Sequence, residues 1–116
     1  MDTQTENLER LTKRKEHLLM TLRYLDRQYE QVEQNTEWLD QAAHENRTAL
    51  LDRLNEWYVA EVRQIDRALE RIKTHVYGAC LACHEPIDAK RLAAAPEAEY
   101  CRPCEELREG LHEGGG

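Results

Sequence analysis

YGACLACHEPIDAKRLAAAPEAEYCRPC, residues 77–104, holds all four cysteines of this 116-residue chain. They form two Cys-x-x-Cys pairs, Cys80 with Cys83 and Cys101 with Cys104, and seventeen residues separate the pairs. Thiolates three positions apart on a turn converge on one point, and zinc in a closed structural site prefers four such ligands. This spacing is typical of a zinc ribbon or a related finger. We therefore predict one structural Zn²⁺ ion, against a thiol pair, a disulfide pair or another metal.

His84 is a further donor directly after the first cysteine pair. Its imidazole could replace one thiolate, but four cysteines at this spacing already complete a tetrahedral site. A module of about 30 residues buries too little apolar surface to fold alone. Structural Zn²⁺ contributes about 10 kcal/mol or more of folding free energy, so metal binding is expected to stabilise the module.

The composition excludes several classes of protein. Charged residues make up 34% of the chain, there is no Phe, and the formal net charge is −7. That balance argues against direct contact with DNA or RNA, which needs a basic surface for the phosphate backbone. No apolar run approaches the ~20 residues that span a membrane, and the N-terminus lacks the features of a signal peptide. We expect a cytoplasmic protein, where reduced thiols favour metal over disulfides.

Two segments carry apolar residues at alternating steps of three and four. Lys15 interrupts the series in residues 8–32, and Asn55 interrupts it in residues 51–76. Such a repeat turns one apolar stripe toward a partner helix, and neither segment contains Gly or Pro. The first stripe consists of Leu8, Leu11, Lys15, Leu18, Leu22, Leu25, Tyr29 and Val32, and the second of Leu51, Asn55, Tyr58, Val62, Ile65, Leu69, Ile72 and Val76. The pattern predicts two long amphipathic helices, with Trp57 packed between them and the finger.

Similar stripe lengths and a short connection predict an antiparallel coiled-coil hairpin, against the alternative that each helix forms a parallel homodimer. We expect the hairpin to span residues 1–77, with a tip at 35–46 whose three charged residues are all acidic. Tyr77 and Gly78 are expected to end the second helix. Residues 78–116 are expected to hold a C4 zinc finger, a C-terminal helix and a flexible tail. The predicted fold class is therefore mainly α, with a small C-terminal four-Cys zinc finger and a short terminal helix.

The chain resembles the DksA/TraR family. The finger carries the resemblance, with Tyr77-Gly78-x-Cys80-x2-Cys83, then Ile87, Arg91-Leu92-x-Ala94-x-Pro96-x-Ala98 and Cys101-x2-Cys104. This string is highly specific for the C4-type zinc finger of the family. In addition, Glu37-x-x-Asp40-x-Ala42-Ala43 stands where the family has an Asp-x-x-Asp-x-Ala motif at its hairpin tip. The resemblance covers roughly residues 8–110, with the first helix supported by its pattern only.

The resemblance implies a mode of action. Members of the family resemble the Gre factors in shape and insert the hairpin tip into the secondary channel of bacterial RNA polymerase. There they change transcription initiation without reading DNA. Carboxylates suit the bound Mg²⁺ of the polymerase or the basic loops around it. The expected polymerase contacts at the tip are Glu37, Trp38, Asp40 and Ala42, and the candidates for a second contact are Lys90 and Arg91.

Two departures from the family pattern affect these expectations. Glu37 replaces the first Asp of the tip motif, and its extra methylene moves the carboxylate by roughly 1.5 Å, enough to change a tight contact. Some family members act with guanosine tetraphosphate (ppGpp) through basic residues, and three of those positions are Gln64, Ala95 and Glu105 here. Losing three cations removes most of the attraction of a polyphosphate site, so we expect a weak response to ppGpp or none.

The expected function is therefore that of a monomeric, cytoplasmic regulator of transcription that binds RNA polymerase. We expect no enzymatic activity, because a hairpin turn offers no pocket for a substrate. Two alternatives stay open. One is a zinc-stabilised coiled-coil adaptor that binds another protein, and the other is a redox switch in which the cysteines release zinc on oxidation. The acidic tip also has a simpler interpretation, as a solubilising turn without a partner.

Overall fold

The computed structural model describes residues 3–34 and 40–114, with side chains for residues 4–34 and 40–110. Within these ranges four helices follow one another: α1 (Thr3–Gln34), α2 (Gln41–Lys73), α3 (Ala89–Ala94) and α4 (Arg102–Gly114). Within the described ranges no strand forms, and one isolated antiparallel bridge joins Ala79 and Pro86. The two long helices form a hairpin that the cysteine cluster follows, so the predicted mainly α fold class is confirmed. Of the helices described, none combines the length and the apolar character needed to cross a membrane.

The chain divides into two compact units, here called the helical unit (Thr12–Gln64) and the finger unit (Met1–Leu11 with Ile65–Gly116). In the helical unit α1 and α2 run antiparallel. Arg14 pairs with Glu61 at 3.3 Å, and Tyr29, later in α1, donates a hydrogen bond to Asp52, earlier in α2, at 2.6 Å. The core of this unit consists of Leu25, Val32 and Leu51, against which Leu22, Tyr29, Leu54 and Tyr58 pack. The helical unit therefore has an apolar core of its own.

The predicted stripes describe the buried faces of the helices well, except at their ends. Every seventh residue of α1 is at most 4% exposed, and this set consists of Leu11, Leu18, Leu25 and Val32. On α2, Leu51 and Ile65 are 6% and 0% exposed. By contrast Leu8 and Val76, the outermost stripe positions, are 39% and 52% exposed. Trp57 was expected to be packed and is instead 66% exposed, with its Nε1 donating to Glu61 at 3.0 Å.

Helix α2 ends earlier than the sequence argument predicted. The N–H of Val76 donates to the carbonyl of Arg71 at 2.9 Å, and the N–H of His75 donates to that of Ile72 at 3.2 Å. With the left-handed φ of 62° at His75, these two bonds make a Schellman motif. Histidine tolerates this conformation better than most other side chains, so a His rather than Gly78 ends the helix.

The finger unit places the first cysteine pair on a short hairpin-like turn after α2. Gly78 has a φ of 90°, and its carbonyl accepts a bond from the N–H of Ile87 at 2.7 Å. The side chain of Ile87 is 5% exposed, and Ile65, Ala68 and Ala98 are equally well buried in the same unit. A small apolar core therefore supports the cysteine turn.

Candidate metal centre and hairpin tip

The finger unit brings the four cysteines together in space. Their sulfur atoms all lie within 4.8 Å of one another, and the Sγ atoms of Cys83 and Cys101 are 3.8 Å apart. A tetrahedral zinc site with Zn–S bonds of about 2.3 Å places its sulfurs about 3.8 Å apart. A disulfide would need an S–S distance of about 2.05 Å, so the spacing fits shared coordination and not a covalent pair. The donor set of Cys80, Cys83, Cys101 and Cys104 fits one structural Zn²⁺ ion, as predicted.

The first cysteine pair is held by a tight backbone turn. The N–H of Cys80 donates to the carbonyl of Glu85 at 2.8 Å, and the N–H of His84 donates to the carbonyl of Cys80 at 2.9 Å. His84 adopts a φ of 65°, which turns the chain back directly after Cys83. The backbone of His84 therefore closes the turn. Cys80, at 1% exposure, is the most buried of the four cysteines.

The second pair is held by the start of α4. The carbonyl of Cys101 accepts a bond from the N–H of Glu105 at 2.9 Å, which puts Cys104 in the first turn of the helix. Pro103 is tolerated there because the first helical turn leaves its N–H groups without helical partners.

Titration of the cysteines reflects their crowding. Burial raises the pKa of Cys80, but hydrogen bonds from the backbone N–H groups of Cys83, Cys101 and Ala82 lower it by more. The resulting pKa is about 6. The hydrogen bond with Cys101 raises the pKa of Cys104 to about 12. Without a cation the site thus favours one thiolate over a neighbour. A bound Zn²⁺ ion would favour deprotonation of all four, because its charge offsets theirs.

An ionic contact that the sequence argument missed fixes the loop before the second pair. The carboxylate of Glu99 accepts two bonds from Arg67, at 3.0 and 3.1 Å, and lies 3.5 Å from Nη1 of Arg71. Arg71 also donates to the carbonyl of Ala98 at 3.4 Å and is 8% exposed. Burial lowers the pKa of this guanidinium, while the charge of Glu99 acts in the opposite direction. We call this set the Glu99 cluster; it ties the loop that leads to Cys101 onto α2.

Two residues named as a second contact lie within the same unit. The Nε of Arg91 donates to the backbone carbonyl of Tyr100 at 3.0 Å, and Arg91 is half-buried. Its neighbour Lys90, also on α3, is exposed. Arg91 therefore stabilises the finger through its bond to the backbone, whereas the side chain of Lys90 is exposed to solvent.

The predicted tip is described only in part. Glu37 and Trp38 lie outside the described residues. Asp40 precedes α2 directly, and its Oδ1 accepts a bond from the N–H of Ala43 at 2.7 Å, which makes it the N-cap of that helix. Asp40 and Ala42 are both exposed. The side chain of the next residue, Gln41, donates to that of Glu45, one turn further along α2, at 2.8 Å. Asp40 therefore combines a structural role with an exposed negative charge.

Comparison with known proteins gives a consistent result for fold and finger. Residues 76–110 match the model of the prokaryotic dksA/traR C4-type zinc finger. The chain is 35% identical over 111 residues to an uncharacterized protein of Aquifex aeolicus (strain VF5), with 86% of this chain and 77% of that protein covered. It also resembles the structure of transcription factor DksA2 from Pseudomonas aeruginosa, with a TM-score of 0.86 and 26% identity over 96% of this chain and 86% of the other.

Proposed function

The chain belongs to the DksA/TraR family, and from this premise we propose that it binds bacterial RNA polymerase and modulates transcription initiation from within the secondary channel. It is a DksA/TraR-type regulator with one structural zinc ion. The observation that carries the proposal is the structural match to a transcription factor, because the match covers 96% of this chain and so includes both long helices and the finger.

The connection between α1 and α2 supplies the charge for the proposed action. Asp40 is exposed, and its bond to the N–H of Ala43 restricts the carboxylate to one orientation before any partner arrives. Less side-chain entropy is then lost on binding. An oxygen donor of this kind suits either a bound Mg²⁺ ion or basic loops. The small side chain of Ala42 would let such a partner approach the first turn of α2 closely.

The proposed regulator neither catalyses a reaction nor contacts nucleic acid directly. It would act in the cytoplasm, where polymerase is found, as a monomer and without catalysing a reaction. The net charge of −7 supports the view that it makes no direct contact with nucleic acid. We propose a weak response to ppGpp, or none. At position 105, where responsive members of the family carry a cation, this chain has Glu105, whose carboxylate lies 3.7 Å from Arg108. Transcription assays with and without ppGpp test this point directly.

Crosslinking tests the proposed binding mode. A photo-reactive residue in place of Leu39, next to Asp40, should form a covalent adduct with the subunits that line the secondary channel of purified core polymerase. The same residue in place of Leu107, which is 67% exposed on α4, serves as the control and should not label those segments. A folded, zinc-loaded protein that neither co-purifies with core polymerase nor crosslinks from position 39 would contradict the proposal.

A further inference from the structure

A second stripe of α1 lies on the side of the helix opposite to the buried stripe. It follows the same alternating steps of three and four positions, and it consists of Lys13, Glu16, Met20, Arg23, Arg27 and Glu30. Met20 follows the buried Leu18 by two positions and so lies about 200° around the helix from it, at about 100° per residue. All six side chains are exposed, and we call this set the outer stripe.

The charges of the outer stripe are not engaged within the chain. Ion pairs among the described residues join other groups, such as Arg14 with Glu61 on the two long helices. None of the five charged members of the outer stripe forms an ion pair in this part of the chain. With Met20, which is 64% exposed, they form a face of the helical unit that its own fold leaves uncovered.

Read from its two ends, the outer stripe is complementary to itself. If two copies of the chain lie antiparallel along it, the first position faces the last, the second faces the fifth and the third faces the fourth. Lys13 of one copy then faces Glu30 of the other. In the same way Glu16 faces Arg27. Two-fold symmetry makes each of these two contacts twice, which gives four ion pairs.

The middle of the outer stripe fits the same arrangement. Met20 faces Arg23 of the second copy, and the apolar stem of an arginine can cover a thioether while its guanidinium stays in water. Tyr24, which is 53% exposed and one turn from Met20, adds apolar surface beside this contact. A parallel pair of copies would instead set every charge against its own sign, which is destabilising. The pattern therefore selects the antiparallel orientation.

A partner of a single sign fits the outer stripe less well than a second copy does. A nucleic acid or a purely acidic helix would pair with Arg23 and Arg27, but Glu16 and Glu30 would repel it. A second copy offers an acid opposite each of three bases or the apolar side chain of Met20, and it offers a base opposite each acid. Both signs are satisfied only in this case.

We propose that the outer stripe binds a second copy of this chain, antiparallel and with two-fold symmetry. The ion pairs are exposed, so each contributes little and the association is weak, reversible and sensitive to salt. The proposed function assigns the action on polymerase to a single copy. The pair of copies would thus be a resting form, and this last point alone rests on the proposed function.

Sedimentation velocity of the zinc-loaded protein tests the association. We expect the apparent mass to double between about 10 µM and about 1 mM at low salt, and to stay that of one chain in about 0.5 M salt. Arg27→Glu and Glu16→Arg each set like charges against one another and should weaken the association at least about fivefold. The two variants mixed in equal amounts should associate as the parent does, because every facing pair then carries opposite signs.

Arg53→Glu is the matched control for Arg27→Glu. It makes the same change in net charge at an exposed position of α2 that is not part of the outer stripe. This variant should associate as the parent does, and far-UV circular dichroism should show the same helical content in all of the variants.

A carbodiimide crosslink tests the register of the two copies. The reagent joins an amine to a carboxylate that it touches, with no spacer between them. Lys13 and Glu30 lie about 25 Å apart along one helix, so an amide between them can form only between two copies. Mass spectrometry of the crosslinked dimer should find this amide, and Arg27→Glu should reduce its yield.

The outcomes separate this inference from the proposed function. A protein that stays a single chain at about 1 mM and low salt would overturn the pairing, and so would an equal effect of Arg27→Glu and Arg53→Glu. Association without the amide between Lys13 and Glu30 would show that the copies pair through another surface. If the crosslinked pair binds core polymerase as tightly as the single copy, the resting form is wrong and the pairing stands. If single copies do not bind polymerase, the proposed function fails while the pairing is unaffected.

Discussion

His84 carries backbone strain at the metal centre. Its φ of 65° lies in the left-handed region, where an L-residue is disfavoured by about 1 kcal/mol and a β-branched one by more. We expect His84→Gly to keep or raise the thermal midpoint of the zinc-loaded protein, and His84→Val to lower its stability by about 1 kcal/mol.

Ala82 provides the control for this pair of substitutions. It lies in the same cysteine turn, is exposed, and is not among the residues with positive φ. Ala82→Val should therefore change the midpoint less than His84→Val does. Equal midpoints for the Gly and Val variants at position 84 would contradict the strain argument.

Asp40 offers a way to separate capping from charge. Asn caps helices about as well as Asp, so Asp40→Asn should keep the cap while it removes the negative charge. Asp40→Ala removes both and should cost about 1 kcal/mol of stability. If the charge acts on polymerase, both variants lose the effect on a stable-RNA promoter in vitro, although only the Ala variant is less stable. Full activity of Asp40→Asn would show that the carboxylate is not the active group.

The bond between Tyr29 and Asp52 makes the stability of the helical unit depend on pH. The hydrogen bond to Asp52 raises the pKa of Tyr29 from 10.0 to about 12, because the phenol donates a proton that ionisation would remove. A group whose folded pKa is raised contributes stability that is complete below its unfolded pKa and is lost above it. The advantage of the parent over Tyr29→Phe should thus be constant below pH 10 and shrink toward pH 12.

Thermal melts of parent and Tyr29→Phe at several pH values measure this difference. Tyr24→Phe is the matched control, because Tyr24 is 53% exposed on the same helix. A difference between parent and Tyr29→Phe that does not change between pH 10 and 12 would contradict the assignment.

At the scale of elements, the Glu99 cluster connects the finger loop to α2. Glu99→Gln removes the charge that pairs with Arg71, whose side chain is 10% exposed. A buried guanidinium without its carboxylate is costly, so we expect a loss of about 2 kcal/mol in the free energy of unfolding. Glu106→Gln is the control, because Glu106 and Arg102 form a pair on α4 whose side chains are 64% and 81% exposed.

Such an exposed pair contributes less than about 0.5 kcal/mol. Urea unfolding of the zinc-saturated proteins gives both values. A loss from Glu99→Gln no larger than that from Glu106→Gln would mean that the cluster does not stabilise the finger loop.

The sequence predicted the elements better than their ends. The stripe of α1 and the two Cys-x-x-Cys pairs follow from local spacing, which can be counted along the chain. The cap at Asp40 and the Schellman motif at His75 depend on single backbone conformations that several residues tolerate. Spacing does not determine those conformations, so the predicted end of α2 was wrong.

The Glu99 cluster could not be predicted for a different reason. Arg67 and Glu99 are 32 positions apart, and their contact exists because the finger chain returns to α2. Among 23 acidic and 16 basic residues, no local signal distinguishes this pair from the others. Trp57 was missed in the same way, because its position beside the stripe indicated packing while the fold leaves it 66% exposed.

For the molecule as a whole, zinc removal should affect the two units differently. The finger unit places four cysteine sulfurs within 4.8 Å of one another, and the free energy of metal binding is part of its folding free energy. The helical unit has a core of Leu25, Val32 and Leu51 that contains no ligand. A zinc chelator should therefore speed amide hydrogen exchange in residues 77–110 by at least about tenfold and leave residues 22–32 and 51–58 protected.

Hydrogen exchange with mass spectrometry measures both regions in one experiment, and added Zn²⁺ should restore protection in residues 77–110. Cys101→Ser should reproduce the effect of the chelator without any reagent, and far-UV circular dichroism should show a partial loss of helix. Loss of protection in both regions together would mean that the helical unit depends on the metal as well. Unchanged exchange in both would show that the cysteine cluster folds without zinc, against the energetic argument from its size.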